Sequence, residues 1–322
     1  MERIAPLGFY TEWKGHLLAD LKRLFANSLV ARGDRPVVWL AGDSSLDNKA
    51  WISANGSGGV PLPVSVPDIY TMCFKSLTPM KPDVAFWMNH YLGDRATAIN
   101  AAVEASLLRE RSGGFLLPHD RLVRDNIRAQ DVLVVSVGAN DIALSPTVCT
   151  ALNMLWLARL SSQEGVEKGT ARALSHFKKL FGREVERYVK ALVGTTKPAA
   201  VVVCMIYYPL EASRFGEPSW ADAPLKALKY DTHPQKVQAA IRAIYEQATM
   251  KISVPGTKVI PLPLFDVLDG KTPEDYVERV EPSVQGGRKM SQMLTKLILP
   301  LLDEAERARE DTSQRLSEDA VN

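Results

Sequence analysis

Five short apolar runs, spaced along the chain and separated by amphipathic stretches, constrain this sequence more than any other feature. They occupy residues 37–41, 97–100, 131–137, 199–206 and 258–262. Each has strand length and is rich in β-branched or small apolar residues. Helical periodicity fills the intervals at 12–32, 99–111, 147–161, 165–192, 234–252 and 285–308. In the last of these, Met290, Met293, Leu294, Leu297 and Ile298 recur at helical spacing and predict a core-facing stripe. Strands alternating with helices predict an α/β protein, with a central, mostly parallel five-stranded sheet covered by helices on both faces.

With 322 residues, 46% of them hydrophobic, the chain can bury a large core. We expect a single domain over 1–302 and a charged C-terminal tail, 303–322, that continues a helix before fraying. The net charge is +2, and removing the acidic tail leaves a body near +6, too weak a basic bias to imply nucleic-acid binding. Cys73, Cys149 and Cys204 lack metal-type spacing and read as reduced, mostly buried thiols. The charged N-terminus is unlike a signal peptide, and no run of apolar residues is long enough to span a bilayer, so a soluble cytoplasmic protein is expected. The Asn55–Gly56–Ser57 triplet fits a Gly-rich loop better than a glycosylation site. Two Pro- and Gly-rich segments, 51–82 and 207–230, follow strand ends and are candidate pocket walls.

Two strands run into polar corners. The first, "VVWLAGDSSL", ends in Gly42, Asp43, Ser44 and Ser45; the second, "DVLVVSVGAND", ends in Gly138, Ala139, Asn140 and Asp141. A serine at a rigid strand end, with small residues that admit a substrate and amides nearby, suits nucleophilic attack with oxyanion stabilisation. Ser44 is the natural nucleophile and Ser45 its neighbour. Helix capping by Asp43, Ser44 and Ser45 is the plainer explanation of the first corner alone. The Asn140 amide can donate to an oxyanion, while Asp43, Gly138 and Asp141 are candidate binding residues.

Together these corners resemble the SGNH hydrolase superfamily, also called GDSL lipases and esterases. "GDSSL" is similar to its first block and "GAND" to its third. The resemblance implies a three-layer α/β/α fold, Ser44 as nucleophile, and oxyanion donors from Asn140, the Ser44 amide and a second-block residue. By order, Ala105 in "AINAAVEASLLRER" takes that last position, where the family has glycine. The fourth block resembles "DYVERVEPSVQGGRKMSQML", with Pro282, Ser283, Gly286 and Gly287 in frame. That frame puts Glu278 where the family has aspartate and Glu281 where it has the histidine base.

A glutamate of ordinary pKa near ~4.3 is a poor base for a hydroxyl, unless burial or a like charge raises it. The alternative is a solvated turn, with the glutamates as partners for Arg279 and Arg288. Among the histidines, His16, His90, His119 and His176 sit poorly for a strand-end site. His233, which opens a helix after a Pro-rich loop, is the best substitute base. No phosphate loop, dinucleotide fingerprint or metal-spaced His/Cys set occurs, so neither cofactor nor metal is implied; a cation held by Asp43, Asp141 and the two glutamates has only scattered ligands. Three readings follow: a serine ester hydrolase or acyltransferase acting on a small-molecule or lipid-like ester through an atypical base, a non-catalytic binding protein on a hydrolase fold, or an enzyme using Glu281 in another reaction. A small-molecule partner is common to all three.

Overall fold

A computed structural model describes residues 2–56, 61–212 and 218–319, with side chains through 310. Ser57 of the Asn-Gly-Ser triplet, together with the rest of 57–60 and residues 213–217 in the two Pro-rich loops, lies outside the described residues. Five strands, β1 (Val37–Gly42), β2 (Thr97–Asn100), β3 (Val132–Ser136), β4 (Ala200–Met205) and β5 (Val259–Pro263), form a parallel sheet in the order β2-β1-β3-β4-β5. The chain order reverses beside β1, which therefore sits at the topological switch point, where such sheets bind ligands beyond their carboxyl ends.

Strand residues divide by parity between two cores. Trp39, Leu133, Val135, Val201 and Val203 face one side, against Leu21 and Leu24 of the Leu18–Arg32 helix and Val189 and Leu192 of the Val185–Val193 helix. Val38, Leu40, Val134 and Val202 face the other, against the Val84–Leu92 helix and the final helix, Val284–Asp319. The result is a three-layer α/β/α sandwich. Met290, Leu294 and Ile298 of the expected stripe are fully buried, with Met293 and Leu297 packed at its edge. A third apolar cluster gathers the Val148–Arg159 and Pro234–Gln247 helices with Phe177 and Phe181 beyond the ends of β3 and β4.

Several helical expectations need correction. The 12–32 helix begins only at Leu18, because Gly15 donates its N–H to Asp47 Oδ2 at 2.9 Å and the chain turns there. No α-helix spans 99–111: after β2 the chain runs through a loop into a 3-10 turn, Leu108–Gly114, whose Leu108 and Arg109 amides donate to the Asp141 carboxylate. The 165–192 stretch is broken between Glu167 and Leu174. The 234–252 helix stops at Gln247. Conversely, the Val84–Leu92 helix shows no amphipathic period because seven of its nine residues are buried. Of the three cysteines, Cys149 is exposed. Among the described residues no helix is long and apolar enough to cross a membrane.

The corner after β1 is drawn tight against β3. Gly42 has φ 142°, and a Cβ there would lie 1.7 Å from the Ser136 carbonyl oxygen. Only glycine accommodates both demands. Gly42→Ala is therefore expected to destabilise the protein by about 3 kcal/mol, as forced overpacking does at its upper range; a denaturant midpoint within error of wild type would contradict this close contact.

Candidate active site

The first corner is held by a carboxylate that touches two strand ends. Asp43 accepts from Ser45 N at 3.2 Å, lies 2.8 Å from Ser45 Oγ, and accepts from Gly138 N of the β3 corner at 3.2 Å. Its backbone N–H donates to Ser136 O at 3.0 Å. Burial raises its pKa to about 6, against the lowering effect of the Ser45 hydrogen bonds. Ser45 Oγ is also 2.6 Å from Ser136 Oγ, so its hydroxyl is taken up within the corner. Ser44, by contrast, turns toward a cavity and toward Glu281.

Behind the corner, Asp47 and Lys49 form a fully buried ion pair at 2.7 Å. Asp47 Oδ2 also accepts from the Glu104 amide at 2.9 Å, which pins the loop after β2 beside the loop after β1. In that loop Ala105 adopts φ 57°, a left-handed conformation that costs an L-residue about 1–2 kcal/mol relative to its usual basins. This is the position the family resemblance assigns to glycine. The flanking amides are taken: Glu104 N by Asp47, and Ser106 N by Val103 O. No such acceptor faces the amides of Ser44 and Ala105 among the described residues. Asn140 Nδ2 donates one N–H to Ser106 O at 3.1 Å, which fixes the amide and leaves its second N–H available.

The fourth segment approaches as a small hairpin, β6 (Tyr276–Val277) antiparallel to β7 (Glu281–Pro282). Its loop contains two consecutive left-handed residues, Glu278 (φ 53°) and Arg279 (φ 66°). Tertiary contacts hold this unfavourable backbone. The buried Arg279 guanidinium pairs with Asp222 at 2.8 Å and Asp231 at 2.7 Å, and also donates to the Leu210 and Glu211 carbonyls. Ser219 Oγ donates to Glu278 O at 2.6 Å, and Tyr207 Oη donates to Val280 O. Beyond the hairpin Ser283 caps the final helix through the Gln285 and Gly286 amides, and Gly286 lies too close to the Asp275 backbone for any side chain.

That hairpin brings Glu281 to Ser44. Glu281 is 3% exposed, its Oε2 has no hydrogen-bond partner among the described residues, and the Ser44 side chain lies near enough to lower its carboxyl pKa. Burial raises its pKa well above the ordinary carboxyl value, the Glu104 carboxyl raises it further, and the nearby Ser44 hydroxyl opposes both. The solvated-turn expectation is therefore corrected for Glu281: Arg279 is engaged with Asp222 and Asp231, and Arg288 donates to Tyr91. Glu278 is half-buried, with Oε2 accepting from Trp220 N at 3.2 Å.

Ser44, Asn140 and Glu281 line one cavity of about 130 Å³, together with Asp43. His233 is exposed, with its ring beside Thr232, and is absent from this wall. Of the other histidines, His16 bonds Phe9 O, His119 bonds His16 O, and His176 sits beside Thr150. The Asp141 carboxylate faces Leu108 and Arg109, and Gly138 serves Asp43, so neither meets the cavity. The four acids considered for a cation do not converge, and no metal-holding group of side chains occurs among the described residues.

Sequence reasoning passed over Glu104. It is 4% exposed, has an unpartnered Oε2, and its pKa is raised to about 8 by burial and by Asp47. Its signal was present: an acid immediately before the second-block position, in an otherwise apolar "AAVEA" run.

No family model matches the chain, and neither does any curated protein. Solved structures similar to it include Est24, a carbohydrate acetylesterase from Sinorhizobium meliloti (13% identity over 83% of this chain and 100% of that one, TM-score 0.42). The native aryl esterase of M. smegmatis aligns at 16% identity over 83% of this chain and 99% of that one, TM-score 0.42. The lipase Lip_vut3 from a goat rumen metagenome aligns at 18% identity over 80% and 95%, TM-score 0.39.

The raised Glu104 carboxyl has a consequence for stability. Its pKa rises from 4.5 to about 8 on folding, so between those values the folded state binds more protons than the unfolded state. Its contribution is complete below about pH 4.5 and is lost as pH climbs through 8. Melting temperature should fall between pH 5 and 8.5, and Glu104→Gln should flatten that fall; an identical slope in the variant would contradict a buried, neutral Glu104.

Proposed function

We propose that this protein is a serine ester hydrolase or acyltransferase in which a buried carboxylate replaces the histidine base. The observation that carries the reading is that Ser44 and Glu281 line the same cavity, with the Ser44 side chain near enough to lower the Glu281 pKa. Ionised Glu281 takes the Ser44 proton as Oγ attacks the ester carbonyl carbon. The resulting oxyanion would be met by Asn140 Nδ2, which lines the same cavity, with the Ser44 and Ala105 amides as further donors. Collapse breaks the bond to the leaving oxygen, which receives the proton back from Glu281 and departs as alcohol. Water, or a second alcohol, then attacks acyl-Ser44 with Glu281 again as base, and Ser44 is regenerated.

Burial supports this role for a glutamate. A carboxyl whose pKa is raised toward the working pH is a stronger base once ionised than a solvent-exposed glutamate. The same shift has a cost, since only the ionised fraction acts. Hydrolysis of nitrophenyl acetate is expected to be negligible near pH 5 and to rise as pH passes the raised carboxyl pKa. Ser44→Ala should abolish it, and Glu281→Gln should lower kcat by about 10²–10⁴ at high pH with the fold intact. Equal kcat in wild type and Glu281→Gln would sink the carboxylate-base reading.

The raised pKa also favours a second reading. A protonated Glu281 is a hydrogen-bond donor, and a binding protein could use it to hold a ligand carbonyl without turnover. Ester turnover abolished in Ser44→Ala decides for the enzyme; ligand affinity dependent on Glu281, with no turnover at any pH, decides for the binding protein.

A further inference from the structure

We infer that the ester accepted at this site carries an aliphatic chain, lodged in the cavity that opens beside Ser44. The inference rests on the hydrolase reading for the word ester, and on the cavity alone for the chain. Polar groups occupy one end of the cavity wall, at Asp43, Ser44, Ser45, Asn140 and Glu281. Away from that end, and apart from the Trp220 indole and Tyr207, the described lining residues are aliphatic, thioether or phenyl, and no Lys, Arg or His occurs among them.

Two helices build this apolar part. Val148–Arg159 contributes Met154 and Leu157. Pro234–Gln247 contributes Val237, Ala240, Ile241 and Ile244, a single face at helical spacing, in which the small Ala240 leaves room between larger neighbours. These residues are buried, and they belong to the core cluster beyond the β3 and β4 ends rather than to the sheet faces. A core that stops short of closing on itself, directly beside a nucleophile, offers van der Waals partners and little else.

Chemistry of the lining selects the ligand. Against the described apolar lining, a sugar would bury hydroxyls without partners and a phosphate would bury charge with no cation among the described residues; both are disfavoured. A polymethylene chain has no hydrogen bonds to forfeit on entering and gains up to about fourfold in affinity per methylene transferred from water, less the entropy of ordering it. The chain could belong to the acyl or the alcohol half of the ester, because the cavity recognises the same hydrocarbon in either.

The test separates the chain from the chemistry. In one arm, Ser44→Ala protein is titrated calorimetrically with n-alkanols of four to ten carbons, which need no catalysis. Affinity is expected to rise by up to about fourfold per methylene until the cavity is full. Ala240→Leu should reduce binding of the longer alkanols at least tenfold while sparing butanol, and Met154→Phe provides the same obstruction from the opposite helix should Ala240→Leu fail to fold. In the second arm, wild-type kcat/KM is measured for nitrophenyl esters of two to twelve acyl carbons and for acetates of the matching alcohols. A rise along the first series places the chain on the acyl side, and a rise along the second places it on the alcohol side. Chain-dependent alkanol binding without turnover in any ester would uphold the cavity inference and defeat the hydrolase reading. Alkanol affinity independent of length would overturn the inference, even if acetate esters were hydrolysed.

Discussion

The Gly42–Asp43 peptide at the end of β1 ties the site together. Its carbonyl, Gly42 O, accepts from Val103 N at 3.0 Å, Ser106 Oγ at 3.2 Å and Arg111 Nη2 at 3.1 Å, so the loop after β2 is fastened to it. Its N–H, on Asp43, donates to Ser136 O, and the Asp43 carboxylate reaches Gly138, so the loop after β3 is fastened as well. Arg111 is itself held by a buried pair with Asp120, which also accepts from Tyr188 Oη at 2.6 Å. Three strand ends converge here because a parallel sheet delivers its carboxyl ends to one edge, and glycine at 42 allows the closest of those approaches. Ser44, Ala105 and Asn140 are consequences of that stitching.

The fourth element arrives differently. Glu281 is not at a strand end of the main sheet; it is presented by a hairpin whose loop holds two left-handed non-glycine residues in succession. Arg279 stabilises that loop through Asp222, Asp231 and two carbonyls. The arrangement commits a carboxyl to a buried site beside Ser44, with Glu104 and Asp43 adding repulsion and no cation paired to it among the described residues. Desolvation and like charge act in the same direction and displace the Glu281 pKa upward.

How much of this was legible in the chain depends on the range of the interaction. The five strands could be read because burial on both faces makes each an apolar run, and the stripe on the final helix could be read because one face is buried. Ser44 and Asn140 stood out as polar residues ending such runs. The loop after β2 was misread as helix because its amphipathic spacing is local, whereas its actual form is set by Asp141 and Gly42, both distant in sequence. Glu281 could be assigned a position from the Pro-Ser-Val-Gln-Gly-Gly frame, yet its burial depends on Arg279 reaching Asp222 and Asp231 some fifty residues away. Glu104 was overlooked for the same reason: nothing nearby in sequence announces that Asp47 holds it in the core.

The account turns on Ser44 being a nucleophile activated by the Glu281 carboxylate, and covalent trapping measures that directly. An alkyl fluorophosphonate, incubated with the protein at alkaline pH and followed by peptide mass spectrometry, should modify Ser44 at one equivalent per chain, at a rate that falls steeply in Glu281→Gln. Absence of an adduct on Ser44, or labelling at the same rate in wild type and Glu281→Gln, would contradict it.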